Sequence, residues 1–145
     1  MAHGGQTHRT ATNLCRLTWT TFLLAKHPEV KEKVFEEVDR VCGDRLPTVA
    51  DMRELKYTSR VINESMRVYP QPPVLIRRAI EPVKLGGYDI AEGTDFFISV
   101  WNLHRNPRLW DKPEEFIPER FPVDGKAPDE PTEDLAHSPS GAGRR

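Results

Sequence analysis

Cysteine is nearly absent from this chain of 145 residues, and its two cysteines, Cys15 and Cys42, form no pattern. They have neither metal-ligand spacing nor the density of a disulfide framework, which excludes a small disulfide-stapled scaffold and fits a reducing compartment. Long apolar runs are missing too. The longest, around Leu14 to Ala25, is interrupted by Arg16 and several threonines and falls short of the roughly 18 to 20 residues a membrane helix needs. No secretory signal is expected, because the opening "MAHGGQTHRTATN" has no apolar core. Neither sign of charge is in excess. With 21 basic and 22 acidic residues the formal net charge is -1, which argues against a general attraction to nucleic acid or anionic membrane and leaves small molecules and proteins as partners.

What is present divides into two halves. From Leu17 to Tyr69 the sequence reads as helices, whereas prolines and glycines concentrate among short extended pieces from Pro70 onward. An apolar helix ends where His27 meets Pro28, because the residue before a proline is pushed out of the helical region. In "PEVKEKVFEEVDRVCG", Val30, Val34, Val38 and Val41 form one stripe, with Glu and Lys expected on the other faces and Gly43 as the stop. Thr48 and Asp51 have capping-box spacing, so a short helix is expected there.

The next helix, about Thr58 to Tyr69, contains "ESMRVYP". Tyr57, Val61, Glu64 and Val68 fall on one face, which places a carboxylate inside an apolar stripe. An exposed Glu64/Arg67 pair at this spacing would contribute only ~0.2 to 0.5 kcal/mol. A buried carboxylate instead needs a hydrogen-bonded cation, and the forked guanidinium of Arg67, one turn on, can supply it. Downstream, "PERF" sets Arg120 beside an aromatic in a loop that would have to pack back onto the helix.

In order, "ExxR" (Glu64, Arg67), "HRNP" (His104 to Pro107) and "FIPERF" (Phe116 to Phe121) resemble the C-terminal half of a cytochrome P-450, a haem-thiolate monooxygenase. The resemblance covers roughly residues 17–145 and about a third of a complete family member. It implies a mainly helical α+β fragment of the P-450 fold: the end of the distal helix, the helices after it, short antiparallel strands and a Pro-rich meander. Four helices are expected before Pro70, then two or three strands. Residues 1–16 are read as a divergent segment (an altered reading frame, a mis-spliced exon or a divergent arm), and 17–145 as a partial domain truncated before the haem-ligand cysteine.

The resemblance also assigns residues. Glu64, Arg67 and Arg120 match a buried ion triad, which makes the opening pair a structural clamp and not an acid/base couple. In "PPVLIRRAIEPVKLGGYDIAEGT", Val74 and Leu75 match the substrate lining and Arg77 a haem-propionate contact; the alternative is ordinary strand residues with both arginines facing solvent. Gly86-Gly87 and Ala91-Glu92-Gly93 are turn signals. His104 is read as structural or solvent-facing, not as a metal ligand. Counting back from "LTW", Thr12 falls on the family's oxygen-activating threonine, but Ala11 stands where an acid is expected, and His8 and Arg9 stand where Ala-Gly is expected. At the other end "SGAGRR" matches the start of the haem-binding loop, with Ser140 standing for the family's phenylalanine, Gly141 and Gly143 for its glycines and Arg145 for the arginine on the second propionate. The axial cysteine, the metal ligand, would lie two residues beyond Arg145. The acidic stretch from Asp124 to Asp134 has no apolar periodicity and is expected to be a solvated loop.

"YPQPPVLIRRAI", "LGGYDI" and "FFISVWNLHRNPRLWDKPEEFIPERFP" are most similar to the carotenoid-ring hydroxylases of plants and algae. That subgroup implies a long lipophilic substrate, haem as cofactor, an electron-donating reductase or ferredoxin, and a plastid location. The alternatives are a catalytically silent remnant or interaction fragment without haem, or a small soluble scaffold protein.

Overall fold

The computed structural model describes residues 4–122, with side chains from residue 13 onward. The elements run α1 (Gly4–Lys26), α2 (Pro28–Cys42), a 3-10 turn (Ala50–Arg53), α3 (Lys56–Val68), β1 (Val74–Arg78), β2 (Val83–Leu85), β3 (Tyr88–Ile90), β4 (Asp95–Ser99), α4 (Val100–Leu103) and a second 3-10 turn (Pro118–Arg120). Helix α1 begins well before Leu17, where the sequence led us to expect it, because no proline interrupts the chain until Pro28. The side chain of Thr12, Arg145 with the "SGAGRR" segment, and the acidic stretch from Asp124 to Asp134 lie outside the described residues.

Pro28 both ends α1 and starts α2. It holds His27 at φ -123, ψ 77, and it occupies the first turn of α2, where a missing N–H costs nothing. Gly43 stops α2 at φ 55, a left-handed conformation that glycine adopts without Cβ strain, while its N–H donates to Asp39 O. Val30 and Val34 of the valine stripe are buried and Val38 is partly buried. One expectation fails on this helix: Glu37, assigned to a polar face, is buried.

Val30 and Val34 of α2 join Leu23, Val61, Val68 and Phe116 in one core, so α1, α2, α3 and the segment after Trp110 share a single apolar centre. Each such burial contributes about 1.5 to 3 kcal/mol. Trp19 stacks on Tyr69 at 4.1 Å between ring centroids, and Thr20 Oγ1 donates to Ser65 Oγ at 2.9 Å, fixing α1 against α3. Thr48 and Asp51 do interact: Thr48 N and Oγ1 both donate to Asp51 Oδ2 at 2.7 Å. The helix they start is only the 3-10 turn, and two bonds from Arg45 hold Asp51 as well.

The strands number four among the described residues, and they pair as two antiparallel ribbons, β1 with β4 and β2 with β3. Gly86 and Gly87, at φ 58 and 88, form the β2–β3 turn; positive φ at both central positions is what a tight hairpin matched to strand twist requires. The second glycine turn leads into β4, whose return to β1 sets the register Leu75↔Ile98 and Arg77↔Phe96.

Candidate functional site

The helical period of α3 turns Glu64 and Arg67 inward, and both side chains are 0% exposed. Arg67 Nε donates to Glu64 Oε2 and Arg67 Nη2 to Oε1, each at 2.8 Å, a bidentate fork. The remaining donors of Arg67 go to backbone carbonyls: Nη1 to His104 at 2.8 Å and Pro113 at 2.7 Å, and Nη2 to Glu115 at 2.9 Å. All five guanidinium protons are thereby used, as a buried cation demands.

The second 3-10 turn brings Arg120 to the same carboxylate, with Nε 3.0 Å from Glu64 Oε1. Its other nitrogens donate to Asp111 O at 2.8 Å and Lys112 O at 3.2 Å. Ile117 N adds a further bond to Glu64 Oε1 at 2.9 Å. Trp110 receives both guanidiniums, with centroid distances of 5.2 Å to Arg67 and 5.9 Å to Arg120. A fully buried carboxylate fixed by four donors, three on Oε1 and one on Oε2, offers no approach for a substrate. The arrangement can hold helix and loop together; it cannot act as a general acid or base.

His104 belongs to this cluster. Fully buried, it places Nδ1 3.2 Å from Arg67 O while its own carbonyl accepts from Arg67. Burial first, then the neighbouring cations Arg67 and Arg105, push its pKa down to about 4. Of the two sequence readings of His104, the solvent-facing one is excluded. Arg105 packs its guanidinium 3.3 Å from the Trp101 ring centroid, reaches Glu114 and donates to Val68 O.

Two contributors escaped sequence reasoning. Glu37 accepts from Tyr57 N, Thr58 N and Thr58 Oγ1, each at 2.8 Å, so a carboxylate from α2 satisfies the open end of α3. Its signal was available, because residue 37 lies on the same helical stripe as Val30, Val34 and Val41. The platform role of Trp110 had no comparable signal.

The expected cofactor-facing residues lie apart from the clamp, on β1. Alternation and register set Leu75 and Arg77 on one face with Phe96 and Ile98, while Val74 and Ile76 face the other side with Phe97. The two expected lining residues, Val74 and Leu75, are therefore not brought to one face. Arg78 is committed to Asp95 at 2.7 Å, whereas Arg77 donates to Ile76 O at 2.8 Å and pairs with no carboxylate among the described residues. An uncommitted cation on an apolar strand face suits a flat apolar group with carboxylates at its edge, and so fits haem. Among the described residues no group of three His, Cys, Asp or Glu side chains is placed to hold a metal ion. Cys15 is half-buried on α1 and Cys42 is buried at the end of α2.

Comparison with known proteins extends this geometry. The family model described as Cytochrome P450 matches residues 10–145. The chain is 56% identical over 134 residues to Protein LUTEIN DEFICIENT 5, chloroplastic, of Arabidopsis thaliana, covering 92% of this chain and 22% of that protein. It is 52% identical to the Carotene epsilon-monooxygenase, chloroplastic, of the same plant, covering 89% of this chain and 24% of that protein. Among solved structures, a zebra fish cytochrome P450 with abiraterone superposes with a TM-score of 0.76 at 34% identity, over 88% of this chain and 30% of that one. The chain thus spans about a quarter of the length of the curated relatives it matches.

Proposed function

We propose that this chain, which belongs to the cytochrome P450 family, forms part of a haem-dependent monooxygenase that hydroxylates the ring of a carotenoid. The observation that carries the proposal is the 52% identity to a carotene epsilon-monooxygenase over 89% of the chain. Haem, when bound, supplies the redox centre for dioxygen. The chain's own residues supply position. Glu64, Arg67 and Arg120 lock α3 to the meander, and Arg77, with no competing carboxylate on its strand face, holds one haem propionate by a charge-assisted bond. Arg145 is assigned the other propionate and Thr12 the handling of oxygen, on resemblance alone. Leu75 shares a strand face with Arg77, Phe96 and Ile98, which supports assigning it, ahead of Val74, to meet a lipophilic substrate beside haem.

A long apolar substrate fits this surface, and electrons come from a reductase or ferredoxin. The chloroplastic relatives support a plastid location. Among the described residues no helix is long and apolar enough to cross a membrane.

The test is to express the full-length protein that contains this chain, reduce it under carbon monoxide, record the difference spectrum, and assay carotenes with a plant ferredoxin system. A thiolate-type Soret band with hydroxylated carotene is expected, and Arg77→Ala should lower haem retention. A protein with that band that oxidises other lipophiles but no carotene would refute the substrate; a protein lacking the band would refute haem-thiolate chemistry.

A further inference from the structure

We propose that His104 is an acid-operated release for the meander: protonation of its imidazole unseats residues 104–121 from α3. The geometry makes the residue a two-way tie, because its carbonyl accepts from Arg67 Nη1 at 2.8 Å while its ring Nδ1 donates to the Arg67 carbonyl at 3.2 Å. The ring is fully buried and meets Trp110 edge-on at 6.3 Å. A second proton on this ring must therefore be accommodated without water.

The neighbouring charges oppose it. From α3 the imidazole faces Arg67, whose charge is balanced by Glu64. Beside it in the chain is Arg105, which shares Glu114. Across Trp110 lies Arg120, bound to the same Glu64. Three guanidiniums thus stand against two carboxylates, and both carboxylates are already engaged by arginines. Backbone carbonyls of Met66 and Arg67 favour the charged ring, but burial outweighs them. Above about pH 4 the ring therefore takes its second proton more readily once the segment leaves α3 and the ring meets water.

The sign follows from linkage. The buried ring binds its proton at about 4 and a released one at about 6.5, so the stability that seating gains from the neutral ring is fully present above 6.5 and is lost as pH falls from there toward 4. Across that window the ratio of released to seated segment rises about tenfold per pH unit, roughly 300-fold in all.

Hydrogen exchange of the protein, read by mass spectrometry at stepped pH and corrected for intrinsic rates, measures this directly. Protection of peptides spanning 104–121, including the Ile117 amide bound to Glu64, should fall about tenfold per pH unit below 6.5 while α2 keeps its protection. His104→Gln keeps a donor for the Arg67 carbonyl and leaves every carboxylate in place, so its protection should stay level from pH 6.5 to 5. The same slope in His104→Gln, or a level response in the unaltered protein, would overturn the proposal. If His104→Gln does not fold, carbon-13 NMR of the His104 ring in the unaltered protein decides. A midpoint near 4 that coincides with loss of protection supports the release; a midpoint near 6.5 with protection intact overturns it.

Discussion

Removing the clamp's one carboxylate is the most informative perturbation of this fold. In Glu64→Ala, Arg67 loses its bidentate partner at 2.8 Å, Arg120 loses a bond at 3.0 Å and the Ile117 amide loses its acceptor at 2.9 Å. Arg67 is 0% exposed and Arg120 only 12%, so neither guanidinium can turn to water without the meander moving. Two cations then face each other in a region built for one net charge. The desolvation of Arg67 was already complete and is no longer compensated, which places the cost at about 3 to 5 kcal/mol rather than the few tenths of an exposed helix pair. Urea unfolding followed by circular dichroism and tryptophan fluorescence should show the transition midpoint falling by that free energy. Truncating Arg67 as well should not restore stability, because the carbonyls of His104, Pro113 and Glu115 would lose their donors. A loss below about 1 kcal/mol in Glu64→Ala would refute the reasoning, since it would mean the site is wet enough to solvate both arginines.

Glu37→Gln replaces an acceptor of three bonds with an amide that can satisfy fewer of them, and should lower unfolding stability by about 1 to 2 kcal/mol in the same assay. Lys112 holds φ 44, a conformation that strains a side-chain-bearing residue, so Lys112→Gly should raise the melting temperature, by up to about 1 kcal/mol of stability in calorimetry. Gly87→Val, at φ 88, should disorder the β2–β3 hairpin, seen as lost cross-strand NMR contacts between Lys84 and Asp89, while the helical signal persists. Arg78→Gln should leave the unfolding midpoint unchanged, because its pair with Asp95 is exposed to water on both sides.

Periodicity carried the helical half of the fold. A valine stripe, a proline stop and a glycine cap each have one physical meaning, so α2 and α3 lie where the pattern puts them. Glu37, like Glu64, is a carboxylate on an apolar stripe, but four other acids on α2 make glutamate there look like surface decoration. The start of α1 was harder to see, since "GGQTHRTATN" has neither a cap nor a stripe. The pairing of β1 with β4 across an intervening hairpin is a long-range register choice, and strand-length patterns say which segments extend but not which partner each takes. Trp110 is a composition of contacts from three separate segments and had no local signature at all.

The clamp also explains how a proline-rich segment with almost no regular structure can be packed firmly. Outside helices and sheets, backbone carbonyls must find donors or remain in water. Between Leu103 and Phe121 the prolines remove donors and leave acceptors in excess. Arg67 and Arg120 supply what is missing, donating to the carbonyls of His104, Asp111, Lys112, Pro113 and Glu115. Two arginines on one glutamate carry an excess positive charge, which those five carbonyl dipoles absorb. A triad of one acid and two arginines is thus suited to this place in a way that a balanced pair is not: Arg67 paired with Glu64 would still serve the carbonyls of His104, Pro113 and Glu115, but those of Asp111 and Lys112 would lose the donors that Arg120 supplies. The excess cation couples the segment to α3. The same excess makes the site intolerant of a further positive charge on His104, so the strength of the clamp at neutral pH and its proposed release in acid have a single electrostatic origin.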